Sequence, residues 1–197
     1  LPSGRLAPEV ALRIGLGLAP AGIFVLTVAV NPLDALLGVV ALASYVLAYT
    51  PLKRRTEMAL LVGTLPGALP PLMGWTAATG EIGAVGMLLF AVLVLWQLPH
   101  FLAIALFRRL DYERAGLKVW PAERGEGPTK ALIVISVAML VAATALFVPL
   151  GVAGVAYLVA SLSVGALFLG WAAAGRPRRR RGCHGRRGAR AGAHERR

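Results

Sequence analysis

Acidic residues are scarce in this chain: Asp and Glu number 9 against 21 Lys and Arg, for a formal net charge of +12. Charge of either sign is thin, at 15% of residues, where a water-soluble domain carries about 25%. Cysteine occurs once, at Cys183, which excludes an internal disulfide framework and suits a reducing compartment for that end of the chain. The apolar runs lack period-2 alternation, which argues against transmembrane β-strands. No cleavable signal peptide and no convincing internal repeat is visible. The opening Leu1-Pro2-Ser3-Gly4 has no initiating Met and reads as the interior of a longer protein.

Apolar residues are abundant instead. They make up 57% of the chain, and mean hydropathy is +0.71. A water-soluble protein of 197 residues could not hide that much apolar surface in one core; lipid removes the problem. A helix needs about 20 mostly apolar residues to cross the hydrocarbon, and spans are expected near 14–30, 33–50, 58–78, 83–106, 130–149 and 152–173. Asn31-Pro32, Lys53-Arg54-Arg55, Thr79-Gly80-Glu81, the polar stretch from Arg108 to Lys130 and Pro149-Leu150-Gly151 separate them. The expected fold class is all-α, a polytopic transmembrane helical bundle.

The distribution of charge argues against nucleic acid as a partner. If the N-terminus is cytoplasmic and six spans alternate, then Arg5, Arg13, Lys53, Arg54, Arg55, Arg108, Arg109, Arg114, Lys118, Arg124 and Lys130 all lie inside, as does everything from Arg176. The turns near Asn31, Gly80 and Leu150 hold no Lys or Arg. This is the positive-inside pattern and predicts a multi-pass membrane protein with a basic cytoplasmic face. Residues 1–175 read as one transmembrane domain. Residues 176–197, built almost wholly of Arg, Gly, Ala and His, read either as a basic tail touching anionic lipid headgroups or as an artefact of a shifted reading frame.

Three polar features border or enter the membrane on that basic side. Tyr49-Thr50-Pro51-Leu52-Lys53-Arg54-Arg55-Thr56 is either a topology anchor among headgroups or a diphosphate clamp, Lys giving a mobile point charge and Arg a planar fork. In Trp96-Gln97-Leu98-Pro99-His100-Phe101, Gln97 and His100 share a helix face, with His100 roughly 10 Å inside the span end. Such a pair makes either an interhelical hydrogen bond or a site lining. Arg108-Arg109-Leu110-Asp111-Tyr112-Glu113-Arg114-Ala115-Gly116-Leu117-Lys118 sets carboxylates among cations. They form either surface ion pairs or a Mg²⁺ site, since Mg²⁺ combines one or two carboxylates with substrate phosphates and water.

The span at 58–78 concentrates Gly63, Pro66, Gly67, Pro70, Pro71 and Gly74. Proline removes a helix hydrogen bond and forces a kink, so this span is expected to be broken. It is either a packing helix or the wall of a central cavity.

Taken together, Tyr49 to Thr56, Gly63, Pro66 to Trp75, Trp96 to Phe101 and Asp111-Tyr112-Glu113-Arg114-Ala115-Gly116 resemble, in order and spacing, the haem O synthase branch of the UbiA prenyltransferase superfamily. Leu1 to Leu6 is similar to the end of the loop after that family's second helix, and the likeness covers about residues 1–175. The resemblance implies about nine helices around a cavity, about six of them here. It also implies transfer of a farnesyl group from farnesyl diphosphate to a vinyl group of haem B; the alanine- and arginine-rich usage points to a high-GC bacterium, hence to its plasma membrane. Contact with haem A synthase or terminal-oxidase assembly would follow.

The resemblance further implies catalytic roles for Lys53, Arg54 and Asp111, and substrate contacts from Tyr49, Arg55, Gln97, His100, Arg108 and Tyr112. Mg²⁺ would sit with the diphosphate at Asp111 and Glu113. The family's first aspartate-rich motif and first two helices are not in this sequence, nor is its last helix. Val119-Trp120-Pro121 and Leu110 also depart from its second motif. The chain by itself is therefore expected to be inactive. A UbiA-type enzyme acting on a quinone precursor and a transporter are the alternatives; the latter should show repeat symmetry between its halves.

Overall fold

The computed structural model describes residues 7–116 and 118–174, apart from the Glu113 side chain. Leu1 to Leu6, the segment 176–197 with both its readings, and any role of the Glu113 carboxylate lie outside the described residues. Those described form helices and turns, with no β-strand among them.

Helix α1 (Pro8–Val25) opens on proline at its first turn, where a missing N–H costs nothing. It continues as a π-helical turn, Leu26–Val30, to Asn31. Asn31 caps α2 (Pro32–Ala43) by accepting from the Asp34 N–H. After α2 the chain widens into a second π-helical turn, Ser44–Tyr49, before the single turn α3 (Thr50–Leu52). Pro51 explains the widening: it has no N–H to return and its ring crowds the carbonyl four residues back. Thr50 bonds five residues back instead, donating both its N–H and its Oγ1 to the Tyr45 carbonyl.

The long helices α4 (Ala59–Thr79) and α5 (Ala84–Phe107) follow. The short α6 (Arg109–Arg114) and α7 (Trp120–Arg124) then lead to α8 (Glu126–Ala145) and α9 (Val155–Ala174). Packing runs in chain order: α2 on α4, α4 on α5, α5 on α8, α8 on α9.

Among the described residues, five helical stretches are long and apolar enough to cross a membrane: Pro8–Val30, Pro32–Leu52, Ala84–Phe107, Glu126–Ala145 and Val155–Ala174. Helix α4 has the length, 21 residues, or about 31 Å, but its prolines and glycines dilute its hydropathy. It is also not the broken helix expected: it runs uninterrupted from Ala59 to Thr79 through Pro66, Pro70 and Pro71. Pro66 and Pro70, four residues apart, leave their missing bonds on one face, Pro71 adds a gap beside them, and the rest of the ladder persists.

Apolar packing holds α2, α4 and α5 through Leu37, Leu69 and Leu72, with Phe90 against them. Leu88, Ala143 and Phe147 do the same for α5, α8 and the turn beyond. At the end away from the basic segments sits a polar cluster the hydropathy pattern did not show. Asp34 is 1% exposed; its carboxylate accepts from Asn31 Nδ2 at 2.8 Å and from Thr76 Oγ1 at 2.7 Å. Asn31 Nδ2 also donates to the Thr76 carbonyl at 3.0 Å, tying the α1–α2 turn to α4. A buried carboxylate needs such donors, and its place in the first turn of α2 adds the helix dipole.

Candidate functional site

A cavity of about 640 Å³ opens where the segment after α3, the polar end of α5 and the α6–α7 segment meet. Its polar lining comprises Tyr45, Tyr49, Lys53, Glu57, Gln97, Tyr112 and Lys118; its apolar lining includes Leu60, Phe101 and Ile104. A volume in the range of small-molecule sites, mostly apolar with a few convergent polar groups, has the character of a ligand pocket.

Local structure explains how each wall is placed. The π-helical turn before Pro51 carries Tyr45 and Tyr49, whose ring centroids lie 5.3 Å apart at 35°. The Tyr49 ring lies against α4 at Gly63, where a β-carbon would come within 2.9 Å of the ring carbons. Lys53, one turn on, holds its ammonium 5.9 Å from the Tyr49 ring centroid, within cation–π range. Gln97 is 5% exposed; its Nε2 donates to the carbonyls of Thr64, at 3.3 Å, and Leu93, at 3.2 Å. Gly67 makes this possible, because a β-carbon there would collide with Gln97 Oε1.

The residues singled out from sequence divide into two sets. Tyr49, Lys53, Gln97 and Tyr112 are brought together around the cavity. Arg54, Arg55, Arg108 and Asp111 are exposed and are not among the cavity-lining residues. Arg108 pairs with Asp111 at 3.5 Å, both side chains about 60% exposed at 63% and 60%. His100 is also exposed and outside the lining, its ring stacked on Trp96 at 4.8 Å and 13°. A separation of three residues leaves roughly 60° between two side chains about the helix axis. That is enough for Gln97 to face the cavity while His100 sits on the outer side.

Sequence reading missed Tyr45, Glu57, Trp120 and Arg124, and it placed Lys118 only among the cations around Asp111. Arg124 Nε and Nη2 both donate to Glu57 Oε1, at 3.2 and 3.1 Å. The Glu57 carboxyl is held below the usual carboxylate range, first by its own backbone N–H and then by Arg124. Opposite charges on loops of the same membrane side were the available signal, but nothing in sequence selects the partner.

For a Mg²⁺ ion, the described donors are sparse: no group of three or more His, Cys, Asp or Glu occurs among the described residues. Asp111 nevertheless offers an exposed hard-oxygen ligand directly beside cavity-lining Tyr112. That suits an ion whose remaining ligands come from phosphate and water.

A helical multi-pass membrane protein, with a largely apolar cavity that two lysines and three tyrosines help to line, is the class these features define. The chain belongs to the UbiA prenyltransferase family, whose profile matches residues 1–186. It is 56% identical over 170 residues to the protoheme IX farnesyltransferase of Sorangium cellulosum, covering 86% of this chain and 61% of that protein. It is 52% identical over 175 residues to that of Myxococcus xanthus, covering 89% and 60%. Against that of Symbiobacterium thermophilum it is 45% identical over 166 residues, covering 84% and 55%. The chain thus spans 55–61% of the length of these curated relatives. No solved structure matches it.

Proposed function

We propose that this chain carries the diphosphate-binding part of an enzyme that transfers a farnesyl group from farnesyl diphosphate to a vinyl group of haem B, forming haem O. One observation carries the proposal: one cavity is lined both by Lys53, Lys118 and three tyrosines and by apolar side chains such as Leu60, Phe101 and Ile104. Those are the two chemistries of an isoprenyl diphosphate. Lys53 and Lys118 would hold the diphosphate, and the phenol groups of Tyr49 and Tyr112 would donate hydrogen bonds to its oxygens. Leu60, Phe101 and Ile104 would shelter the chain from water. As the bond between C1 and the diphosphate oxygen breaks, negative charge grows on the leaving group. Fixed cations in a water-poor site stabilise it more than water would. A Mg²⁺ ion held by Asp111, with Glu113, and by the diphosphate would supply further charge neutralisation when bound.

The relatives' names support haem as the acceptor, and the positive-inside pattern supports a cytoplasmic basic end in a bacterial plasma membrane. The test is a chimaera in which the matching region of the Sorangium cellulosum relative is replaced by this chain's sequence. In cells lacking any other haem O synthase, extracted pigments should contain farnesylated haem. Accumulation of a prenylated phenol, or unmodified haem from a stably inserted chimaera, overturns the proposal.

A further inference from the structure

Glu57 is the one carboxylate among the described cavity-lining residues, which also include Lys53, Lys118 and Trp120. Its side chain is 15% exposed, whereas that of Arg124, its partner, is 55% exposed. The Arg124 guanidinium carbon lies 5.4 Å from the centroid of the Trp120 ring, so Arg124 engages Glu57 and Trp120 together. The two segments so joined are 67 residues apart in the chain. One follows α3 and carries Lys53; the other contains α7 and carries Lys118 and Trp120. Without a tie, two cation-bearing segments at one mouth repel each other, and a bare carboxylate there repels any anion that enters.

We propose that Glu57 and Arg124 form a clasp that fastens residues 118–125 across the mouth of the cavity, so that Lys118 and Trp120 complete the anion site begun by Lys53. The proposal rests on the diphosphate reading above and deepens it. Glu57 and Arg124 are positioning residues: neither is asked to touch the anion. Arg124 also cancels the charge of Glu57 where the anion arrives.

The test is calorimetric titration of the full 197-residue chain, in phosphatidylcholine nanodiscs, with inorganic pyrophosphate. Glu57→Gln and Arg124→Gln should each weaken binding about three- to fivefold, in keeping with a partly exposed ion pair. Arg124→Gln should be the worse, because it leaves Glu57 facing the anion. The charge exchange Glu57→Arg with Arg124→Glu should restore affinity to within about twofold, as paired sites do in a double-mutant cycle. Lys118→Gln should weaken binding in the wild-type background and add little once Glu57→Gln has released the segment. That last comparison decides the matter if the exchanged protein does not fold. Wild-type or tighter binding by Glu57→Gln overturns the clasp, as does full additivity of Lys118→Gln with it. Either result leaves the diphosphate reading intact if Lys53→Gln abolishes binding. No binding by the wild-type chain, or an unchanged affinity in Lys53→Gln, overturns the diphosphate reading itself.

Discussion

Thr76 Oγ1 donates to Asp34 Oδ1 at 2.7 Å, joining α4 to the first turn of α2 where Asp34 is 1% exposed. Thr76→Val keeps the shape of the side chain and removes that donor. A buried acceptor left short of a partner costs about 1–3 kcal/mol. The variant should therefore unfold at lower temperature in detergent, and unchanged thermal stability would deny the cluster its role.

Gly67 and Gln97 should behave as one unit. Gly67→Ala drives a β-carbon into Gln97 Oε1 and displaces the amide from the Thr64 and Leu93 carbonyls. In the chimaera, each of Gly67→Ala and Gln97→Ala should cut haem O output on the order of tenfold, with the double variant little worse, because residues sharing a contact are not additive. Additive losses would mean that the two act separately.

Lys53 lines the cavity, whereas Arg54 and Arg55 are exposed outside it. Lys53→Gln should lower turnover of the chimaera on the order of a hundredfold, as loss of a charge at a site of developing charge does. Arg54→Gln and Arg55→Gln should stay within about threefold, as screened surface charges do. Equal losses at all three would favour a diffuse basic patch over a defined clamp.

Asp111→Asn should abolish turnover of the chimaera without lowering its thermal stability. The residue is exposed and pairs only loosely with Arg108, at 3.5 Å, so folding owes it little. Normal activity would remove Asp111 from the chemistry.

Acid should loosen the clasp. The Glu57 carboxyl sits below its ordinary value of 4.5, through its own backbone N–H and then Arg124. A depressed pKa means that the unfolded chain binds the proton first. The contribution is therefore complete above pH 4.5 and is lost as pH falls below that, through the lower folded value. A pH series of thermal unfolding should show this step in the wild type and not in Glu57→Gln.

Much of the architecture was legible without coordinates, because the membrane imposes it. Runs of about 20 apolar residues have only one low-energy form in lipid, the helix. The expected spans accordingly agree with the helices to within a few residues at most ends. The largest offsets lie at the ends of α1 and α8: α1 begins at Pro8 and α8 at Glu126, the latter drawn outward by polar residues that still pair along the helix, as Glu126 and Lys130 do at 3.9 Å. Helix α4 was harder to judge, since proline content marks lost hydrogen bonds but not whether the remaining ones keep the helix whole.

The candidate site was legible only in part. Residue type and order marked Tyr49, Lys53, Gln97 and Tyr112, because each brings an unusual polar group to a span end. What sequence could not decide was direction. Adjacent Lys53 and Arg54 differ by about 100° around a helix-like turn, so one lines the cavity and the other meets solvent. Nor could it choose partners across 67 residues, as in Glu57 with Arg124. Hydropathy and charge by themselves determined the membrane class, the helices and the basic end, since those follow from transfer energies summed along the chain. Only the tertiary structure decided which of the charges share one cavity, because that depends on how α4, α5 and the α6–α7 segment pack in three dimensions.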